Sequence, residues 1–579
     1  MTVGPTTADL SDSRLAGLGA KAVATAWSEL ADRHLIVTRR ARHRFEARDW
    51  TGLAGDHVER LDLYARSASN TATRLSHTLG DRVHDPMVWA GMKAVYAVLV
   101  AGREDTELAE TYFNSVTRKI FTTVGVDPRI EFVDSDVVSS HGAAPVLRTY
   151  ERPASIPDLV SDVLRDTGLS GWRDFDSDVR EAAARIGRRL EAVGGLRTID
   201  RAEVVRPLFF RGSAAAVVGR VASGSQVIPV VFVLAHDADG IRVDAVLVTE
   251  NDVSILFSFT RSYFFVNVAG PHPLVHFLAT LMPRKRTAEL YISLGYVKHG
   301  KTELYRELRR HLAASQDLFV TARGTPGLVM VVFTLHGFDV VLKVIRDRFG
   351  APKQVTRDRV LNRYRLVFRH DRAGRLVDAQ EFEHLALPRD RFDPSLVDYL
   401  AEHCSRSVEV DADTVTISHA YVERRVTPLD VFLKEARPAD AERAILDYGQ
   451  AIKDMAASGI FPGDMLMKNF GVTRHGRIVF YDYDELQTLD EVRFRALPDT
   501  DDLADSLASE PWFPVGPDDV FPEEFRRFLG LGGRLREVFE ARHADLFDPA
   551  TWQGWQRTLA TGQRMEIFPY RSEVRLGGE

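Results

Sequence analysis

The chain has 579 residues, which is too long for a single hydrophobic core and predicts about two to four domains. Hydrophobic residues make up 45% and charged residues 27%, and the formal net charge is −7; these values are typical of a globular protein and exclude the basic character of a nucleic-acid binder. Cys404 is the only cysteine, which excludes an internal disulfide and a cysteine metal cluster. The chain shows neither a signal peptide nor an apolar run long enough to span a bilayer, so we expect a cytoplasmic protein with no membrane partner.

The first half of the chain is predicted to be mainly helical with a sheet inserted in it. Helical periodicity runs from residue 13 to about residue 125, as in Trp50–Leu79 and Pro86–Ala101. From about 203 to 268 short apolar runs alternate with Gly, Asp and Asn turn signals, which predicts β-strands, the last of them at Ile255–Phe259. Helical patterns return after Pro273. No catalytic set is evident here, so we expect a scaffold or regulatory domain.

One segment of this half satisfies a nucleotide-binding motif and supports a rival hypothesis. Gly295–Thr302 matches the P-loop pattern G-x-x-x-x-G-K-T, with Lys301 at the lysine position. A P-loop requires a strand before it and a helix after it, because backbone amides at the helix start cradle the phosphates. Glu289–Leu294 would have to be that strand. The absence of βαβ alternation around the segment argues against this P-loop ATPase hypothesis.

The second half begins with a glycine-bearing loop and a pair of predicted strands. The loop Ala322–Leu328 precedes the strands Val329–Leu335 and Phe338–Ile345, and the second strand carries Lys343 among apolar residues. Burying a lysine without an anionic partner is costly. In kinase-like folds such a lysine binds the α- and β-phosphates of ATP under the preceding hairpin. The alternative is a lysine that reaches solvent from an edge strand.

The kinase template also requires a carboxylate that pairs with this lysine. The template places it on the next helix, yet the predicted helix Val355–Asp371 contains no glutamate. We expect one of Asp378, Glu381 and Glu383, on the segment leading into the next predicted strand, to take over this role or another. A further strand, a hinge and two helices are predicted between that segment and residue 460.

The stretch Ile460–Glu485 carries the strongest chemical signal in the residues themselves. Asn469 follows Asp464 by five residues, and Asp482 stands at the end of a predicted hairpin. Protein kinases use this order: a catalytic-loop Asp for the hydroxyl proton, then an Asn and a second Asp for magnesium. The usual H-R-D is here Pro-Gly-Asp and the usual D-F-G is Asp-Tyr-Asp. The pattern predicts an atypical ATP-dependent phosphotransferase, and the alternative is a pseudokinase that only binds nucleotide.

Several longer runs are unusual enough to identify a family. They are VFTLHGFDVVLKVI, HDRAGRLVDAQEFEHL, YVERRVTPL, IFPGDMLMKNFGVTRHGRIVFYDYDE, AETYFNSVTRKIF and TAELYISLGYVKHGKTELYREL. In these runs, which cover essentially the whole chain, the sequence resembles the bacterial isocitrate dehydrogenase kinase/phosphatase family.

The resemblance implies a fold and an activity. The implied fold is α+β: a mainly helical regulatory domain with an inserted β-sheet at 1–316, then a bilobal protein-kinase-like domain at 317–579, its N-lobe at about 317–422 and its C-lobe at about 423–579. The family phosphorylates and inactivates isocitrate dehydrogenase and also removes the phosphate, which controls flux between the tricarboxylic acid cycle and the glyoxylate bypass. Both activities and an ATPase use one ATP/ADP site that needs Mg²⁺, and AMP is an allosteric effector.

The resemblance also implies roles for individual residues. Asp378 would be catalytic, chiefly in the phosphatase direction, and Asp464 would be the catalytic-loop base. Asn469 and Asp482 would hold magnesium. The segment Ala508–Phe525 matches the substrate-recognition loop that contacts isocitrate dehydrogenase. The residues implied to bind nucleotide are Ala322, Arg323, Gly324, Thr325, Pro326, Gly327, Leu328 and Lys343.

Overall fold

A computed structural model describes most of the chain. The described residues are 10–134, 146–194, 198–258, 263–350, 356–370, 373–498, 513–563, 565, 567–568, 570 and 572–576. They form two compact units: unit 1 contains the described residues up to Ala314 and those from Tyr570 onward, and unit 2 lies between Ser315 and Tyr570. None of the helices in the described ranges combines the length and the apolar content that crossing a bilayer requires.

Unit 1 is mainly helical and contains one antiparallel sheet. Its helices are α1 Asp12–Glu46, α2 Trp50–Leu79, α3 Pro86–Val100, α4 Thr106–Ile120, α5 Ile156–Arg165, α6 Phe175–Ala192, α7 Glu250–Leu256, α8 His272–Leu281, α9 Thr287–Ser293 and α10 Val297–Ala314. Its strands are β1 Leu147–Glu151, β2 Arg201–Val205, β3 Phe209–Arg211, β4 Ala214–Ser223, β5 Gln226–Asp237 and β6 Gly240–Leu247.

The sheet of unit 1 has the order β1-β2-β4-β5-β6, with β3 paired to β4. The inserted sheet was expected at about 203–268, but β1 lies well before that range and the last predicted strand is wrong. Ile255 and Leu256 belong to helix α7, because the Thr249 side chain accepts a hydrogen bond from the Asp252 amide and caps the helix.

Alternate side chains of β4 and β5 pack with α1, α5 and α6 in one hydrophobic core.

The end of the chain lies in the predicted domain 317–579 but packs in unit 1. Arg575 forms an antiparallel bridge with Ala245, and the Leu576 amide donates to the Asp244 carbonyl at 2.8 Å. The buried Asp244 carboxylate accepts from the Tyr570 hydroxyl and, at 2.9 Å, from the Arg575 guanidinium. These bonds hold the segment against β6.

Unit 2 starts with a mixed region of strands and helices and ends mainly in helices. Its strands are β7 Phe319–Thr321, β8 Met330–Leu335, β9 Val340–Ile345, β10 Ala379–Pro388, β11 Val408–Val410, β12 Thr414–Arg424, β13 Thr427–Pro428, β14 Ile460–Phe461, β15 Phe470–Val472, β16 Ile478–Phe480, β17 Gln487–Thr488, β18 Arg493–Phe494 and β19 Asp519–Val520. Its helices are α11 Arg357–His370, α12 Pro394–His403, α13 Leu429–Glu435, α14 Pro438–Ala457, α15 Phe525–Phe528, α16 Gly533–His543 and α17 Pro549–Ala560.

The main sheet of unit 2 has the order β10-β12-β9-β8-β7, with β11 on β12, and its pairs are antiparallel. Strand β9, which carries the lysine, is the third strand in chain order, as in protein kinases. Helix α14 and the hairpin β15–β16 form a second core with α11, α16 and α17, in which large aromatic side chains such as Tyr448 and Trp552 are fully buried. The predicted α+β fold class is thereby confirmed.

Candidate active site

Lys343 lies at the centre of the sheet of unit 2. Its strand, β9, is bonded to β12 on one side and β8 on the other, so the alternative of an edge-strand lysine that reaches solvent is wrong. The side chain is only 6% exposed, and its Nζ lies 2.8 Å from Oε2 of Glu423. The same Nζ donates to the carbonyl of Tyr481 at 2.6 Å. A buried ammonium is thus stabilised by one carboxylate and one carbonyl, as its desolvation requires.

The carboxylate that pairs with Lys343 is not one of the predicted candidates. We expected Asp378, Glu381 or Glu383, and the structure shows Glu423 on β12. Burial raises the pKa of the Glu423 carboxyl, whereas the adjacent Lys343 ammonium acts in the opposite direction.

Strand register explains why Glu423 reaches the lysine. Tyr421 lies directly opposite Lys343 in the β9–β12 pair, and Glu423, two residues further along β12, is on the same face. Glu381 instead accepts a hydrogen bond from His419 at 2.8 Å. The signal available in the sequence was an acid near the end of a predicted strand, two residues after a tyrosine.

Helix α11 contributes aromatic packing at the position where the kinase template has a glutamate. Tyr364 is buried and stacks on Tyr421 with ring centroids 3.8 Å apart. Its hydroxyl contacts Met330 Sδ at 3.5 Å. Both members of the lysine–carboxylate pair therefore lie in the sheet, and the Tyr364 side chain of the helix acts on the pair through a hydrogen bond that lowers the pKa of the Glu423 carboxyl.

The predicted catalytic loop, around Asp464, is a tight turn held by its own polar groups. The Asp464 carboxylate accepts a hydrogen bond from the Leu466 amide at 3.1 Å, and the Asn469 side-chain amide donates to the Asp464 carbonyl at 3.1 Å. Gly463 has φ +78°, and a Cβ there would collide with the backbone carbonyl of Glu485. Glycine in place of the arginine of H-R-D thus has a steric cause, since only glycine fits where the chain after Asp482 passes so closely.

The predicted magnesium residues, Asn469 and Asp482, flank the hairpin β15–β16. The Tyr481 amide donates to the Asn469 carbonyl at 3.1 Å, so the backbone before the hairpin and the backbone after it lie side by side. Because the Asn469 amide nitrogen is bound to Asp464, its side-chain oxygen is the atom suited to a cation, and the Asp482 carboxylate would supply a second oxygen. No cluster of three or more His, Cys, Asp or Glu side chains with metal-binding geometry occurs among the described residues. Two protein oxygens nevertheless fit magnesium, which keeps water and phosphate oxygens as its other ligands.

Asp378 comes next to these residues from a separate segment. Leu376 forms a parallel bridge with Phe480, and the Val377 amide donates to the Phe480 carbonyl at 3.1 Å. Asp378 and Asp482 therefore follow two neighbouring parallel backbones. The Gln380 side chain donates to Asp378 Oδ2 at 2.5 Å.

The glycine loop Ala322–Leu328 connects β7 and β8 and is largely exposed. The Ala322 amide donates to the carbonyl of Val332, the residue opposite Lys343. Gly324 has φ +112°, a conformation that favours glycine. At the tip, Arg323 pairs with Glu435 of α13 at 2.5 Å, with both side chains exposed.

The P-loop alternative is wrong because its segment is helical. Residues 289–293, which would have to form a strand, belong to α9, and residues 297–302 form the start of α10. Gly300 is required by packing, since a Cβ there would lie 2.5 Å from Ile292 Cγ1 and 2.6 Å from the Ala288 carbonyl. The Thr302 hydroxyl donates to the Lys298 carbonyl of the same helix.

The predicted substrate segment Ala508–Phe525 lies partly outside the described residues, which resume at Phe513. In the described part, β19 pairs in parallel with β18, and Phe525 is buried at the start of α15.

Both halves of the chain match one family of known proteins. Residues 317–572 match the model of the isocitrate dehydrogenase kinase/phosphatase (AceK) kinase domain, and residues 20–316 match the regulatory domain of the same family. The chain is 49% identical to the isocitrate dehydrogenase kinase/phosphatase of Anaeromyxobacter sp. (strain Fw109-5) over 564 residues, covering 97% of this chain and 98% of the relative. It is 42% identical to that of Xanthomonas campestris pv. campestris (strain 8004) over 572 residues, 98% of each chain. The chain belongs to the isocitrate dehydrogenase kinase/phosphatase family.

Proposed function

We propose that this chain is a bifunctional serine kinase and phosphoprotein phosphatase that inactivates and reactivates isocitrate dehydrogenase, and so controls the division between the tricarboxylic acid cycle and the glyoxylate bypass. The observation that carries the proposal is a continuous path of hydrogen bonds through the site. Lys343 bonds to the Tyr481 carbonyl, the Tyr481 amide to the Asn469 carbonyl, and the Asn469 side chain to the Asp464 carbonyl. Such a path fixes the phosphate-binding lysine, a magnesium residue and the catalytic acid in one geometry, which phosphoryl transfer requires.

In the forward direction, the chain positions ATP and the substrate serine. Lys343 neutralises phosphate charge, and the backbone of Ala322–Leu328 covers the phosphates. Asp464 orients the serine hydroxyl and takes its proton as the oxygen bonds to the γ-phosphorus and the bond to ADP breaks. Asn469 and Asp482 would hold magnesium, which when bound would supply positive charge to the phosphate oxygens.

In the reverse direction, Asp378 has the separate role of orienting the acceptor. With ADP held in the same site, water, or ADP followed by water, receives the phosphoryl group as its bond to the serine oxygen breaks. Asp378 takes the proton of the attacking water, and the serine oxygen takes a proton from solvent water as it leaves. The pairing of the backbone before Asp378 with strand β16 of the magnesium hairpin supports this role.

The remaining parts of the proposal concern regulation and partners. The regulatory domain at 1–316 responds to AMP, and the site also hydrolyses ATP. The segment Ala508–Phe525 contacts isocitrate dehydrogenase, and the protein acts in the cytoplasm without nucleic-acid or membrane partners. Membership of the family supports each of these statements.

A pair of substitutions tests the division of labour between the two acids. Asp464→Asn should abolish phosphorylation of isocitrate dehydrogenase, whereas Asp378→Asn should lower dephosphorylation far more than phosphorylation. The two initial rates are measured on the same preparation of each variant. If Asp378→Asn reduced both rates to the same extent, separate roles for the two acids would be excluded.

A further inference from the structure

Tyr483 occupies the position at which protein kinases have the phenylalanine of D-F-G. Its side chain is completely buried. Its ring packs against Tyr364 of α11, with centroids 5.1 Å apart, and against Phe480, at 5.9 Å. A phenylalanine would satisfy this apolar packing equally well. The hydroxyl is the additional feature, and a buried hydroxyl requires a hydrogen-bond partner.

The partners of this hydroxyl lie next to the two acids of the site. The Tyr483 hydroxyl donates to the carbonyl of Val377 at 2.6 Å and lies 3.3 Å from the carbonyl of Phe480. Val377 immediately precedes Asp378, and Phe480 lies two residues before Asp482. One oxygen atom therefore touches both backbones from which these acids extend.

The bond to Val377 controls the orientation of a specific peptide group. The Val377 carbonyl and the Asp378 amide belong to the same planar unit, so fixing the carbonyl also fixes the direction in which the chain enters Asp378. Before this point the two backbones are already joined, because the Phe480 amide donates to the Arg375 carbonyl at 2.6 Å and the Val377 amide to the Phe480 carbonyl at 3.1 Å. The Tyr483 hydroxyl extends this connection by one residue, up to the acid itself.

Asp464 is oriented by a different set of bonds. Its loop is held by the Asn469 side chain and by the Tyr448 hydroxyl, which donates to the Met465 carbonyl. The shorter hydroxyl bond of Tyr483, to Val377, thus acts on Asp378, whereas the hydroxyl of Tyr448 acts on the catalytic loop.

We propose that Tyr483 is a positioning residue for the phosphatase direction, and that its hydroxyl holds Asp378 in place relative to the magnesium residue Asp482. This inference rests on the proposed function, in which Asp378 serves the reverse reaction. It assigns a role to the tyrosine of the Asp-Tyr-Asp sequence, which the kinase template does not explain.

The test compares the two activities of Tyr483→Phe, which removes one oxygen atom and keeps the ring. For the full-length protein, the initial rate of label transfer from ATP to isocitrate dehydrogenase and the initial rate of phosphate release from phosphorylated isocitrate dehydrogenase with ADP and Mg²⁺ are measured at saturating substrate. We expect phosphatase kcat to fall by about tenfold to a hundredfold, as misplacement of a catalytic group does. Kinase kcat should change much less.

The matched control is Tyr96→Phe in unit 1. Tyr96 is also fully buried and donates its hydroxyl to a backbone carbonyl, that of Ala109 at 2.9 Å. Its loss should leave the ratio of the two activities unchanged. The ratio is also insensitive to partial unfolding, because an unfolded fraction lowers both activities equally. In the Asp378→Asn background, Tyr483→Phe should cause no further loss of phosphatase activity, since it acts through that acid.

The outcomes separate this inference from the proposed function. Wild-type protein that lacks either activity would contradict the proposed function. The positioning role alone would be overturned if wild-type protein has both activities and the Tyr483→Phe variant keeps both. It would also be overturned if the variant loses both activities to the same extent, including a complete loss of both.

Discussion

The Nζ atom of Lys343 lies 2.8 Å from Oε2 of Glu423, a carboxylate on the neighbouring strand of the same sheet. In protein kinases the corresponding pair joins the sheet to a helix, and movement of that helix controls activity. Here both partners lie on the paired strands β9 and β12, and α11 contributes Tyr364, which stacks on Tyr421 and lowers the pKa of the Glu423 carboxyl through a hydrogen bond. Each charge of the pair also serves as the counter-ion of the other. Either charge buried without its counter-ion would cost more free energy than the pair does.

Glu423→Gln should therefore lower kinase activity, whereas Glu383→Gln should not. Removal of the carboxylate leaves the buried Lys343 ammonium without a counter-ion, a change that costs about 3–5 kcal/mol in buried pairs. We expect a rise in KM for ATP and a fall in kcat of at least about tenfold. A tenfold fall corresponds to an increase of about 1.4 kcal/mol in the activation free energy. Glu383 is exposed on β10 and serves as the matched control. A larger effect at Glu383 than at Glu423 would contradict the assignment.

ATP binding should be lost in Lys343→Met and kept in Lys301→Ala. Lys301 lies in the second turn of α10, where the backbone amides are used within the helix and cannot cradle a phosphate. Equilibrium binding of a labelled ATP analogue to both variants measures the difference. Loss of binding in Lys301→Ala alone would restore the P-loop hypothesis.

Gly300→Ala should destabilise unit 1, although alanine favours helices. The new Cβ would lie 2.6 Å from the Ala288 carbonyl, a backbone atom that cannot move without displacing α9. Overpacking of this kind costs about 1–3 kcal/mol. The control is Gly17→Ala in α1, where no atom lies within 4 Å of the added Cβ, and which should stabilise by about 0.5–1 kcal/mol. Thermal unfolding of the two variants should shift in opposite directions, and a stabilising Gly300→Ala would show that α9 and α10 do not pack as described.

Glu107 should make unit 1 less stable as the pH rises. Burial is the main cause that raises the pKa of its carboxyl from 4.5 to about 7, and the charges of Asp105 and Glu110 act in the same direction. Hydrogen bonds from its own amide and from the Tyr291 hydroxyl, which donates to it at 3.4 Å, act in the opposite direction. Because the folded-state pKa is above the unfolded value, the stabilisation is complete below pH 4.5 and is lost as the pH passes through about 7. Glu107→Gln cannot ionise and should escape this loss.

The measurement is the unfolding free energy of wild type and Glu107→Gln at pH 5 and pH 8. Between pH 5 and pH 8, the unfolding free energy of the variant should rise relative to that of wild type by about 3 kcal/mol. This figure follows from the pKa shift of the carboxyl at 1.36 kcal/mol per pKa unit. The buried His34 and His299, whose pKa values burial lowers to about 3, are present in both proteins and cancel in the comparison. Exposed Glu104, next to the same helix, provides the control Glu104→Gln, which should follow wild type. An equal pH dependence in wild type and Glu107→Gln would contradict an ionising buried carboxyl.

The sequence allowed prediction of those parts of the site that depend on chain order. Lys343 in an apolar strand, and the spacing of Asp464, Asn469 and Asp482, are local patterns with a known chemical use, and the structure brings these four residues together. The fold class followed from the same order of strands and helices and from the family resemblance.

The parts that could not be predicted depend on strand register and on packing between distant segments. Glu423 becomes the partner of Lys343 only through the pairing of β9 with β12, which no spacing in the sequence expresses. The Tyr483 hydroxyl meets Val377 across more than a hundred residues of chain. The P-loop hypothesis failed for the opposite reason. The sequence motif is present, but the segment is helical, with Gly300 packed against α9, and does not form the strand, loop and helix that a P-loop requires.

The most direct test of the central claim, that one site performs both transfers, is a two-step labelling experiment. Purified protein is incubated with γ-labelled ATP and isocitrate dehydrogenase, and the labelled substrate is isolated and returned to fresh enzyme with ADP and Mg²⁺. We predict that wild type places the label on the substrate and then releases it, and that Lys343→Met does neither. Absence of label transfer by wild type, as for a pseudokinase, or a Lys343→Met variant that loses one activity and keeps the other, would contradict the account.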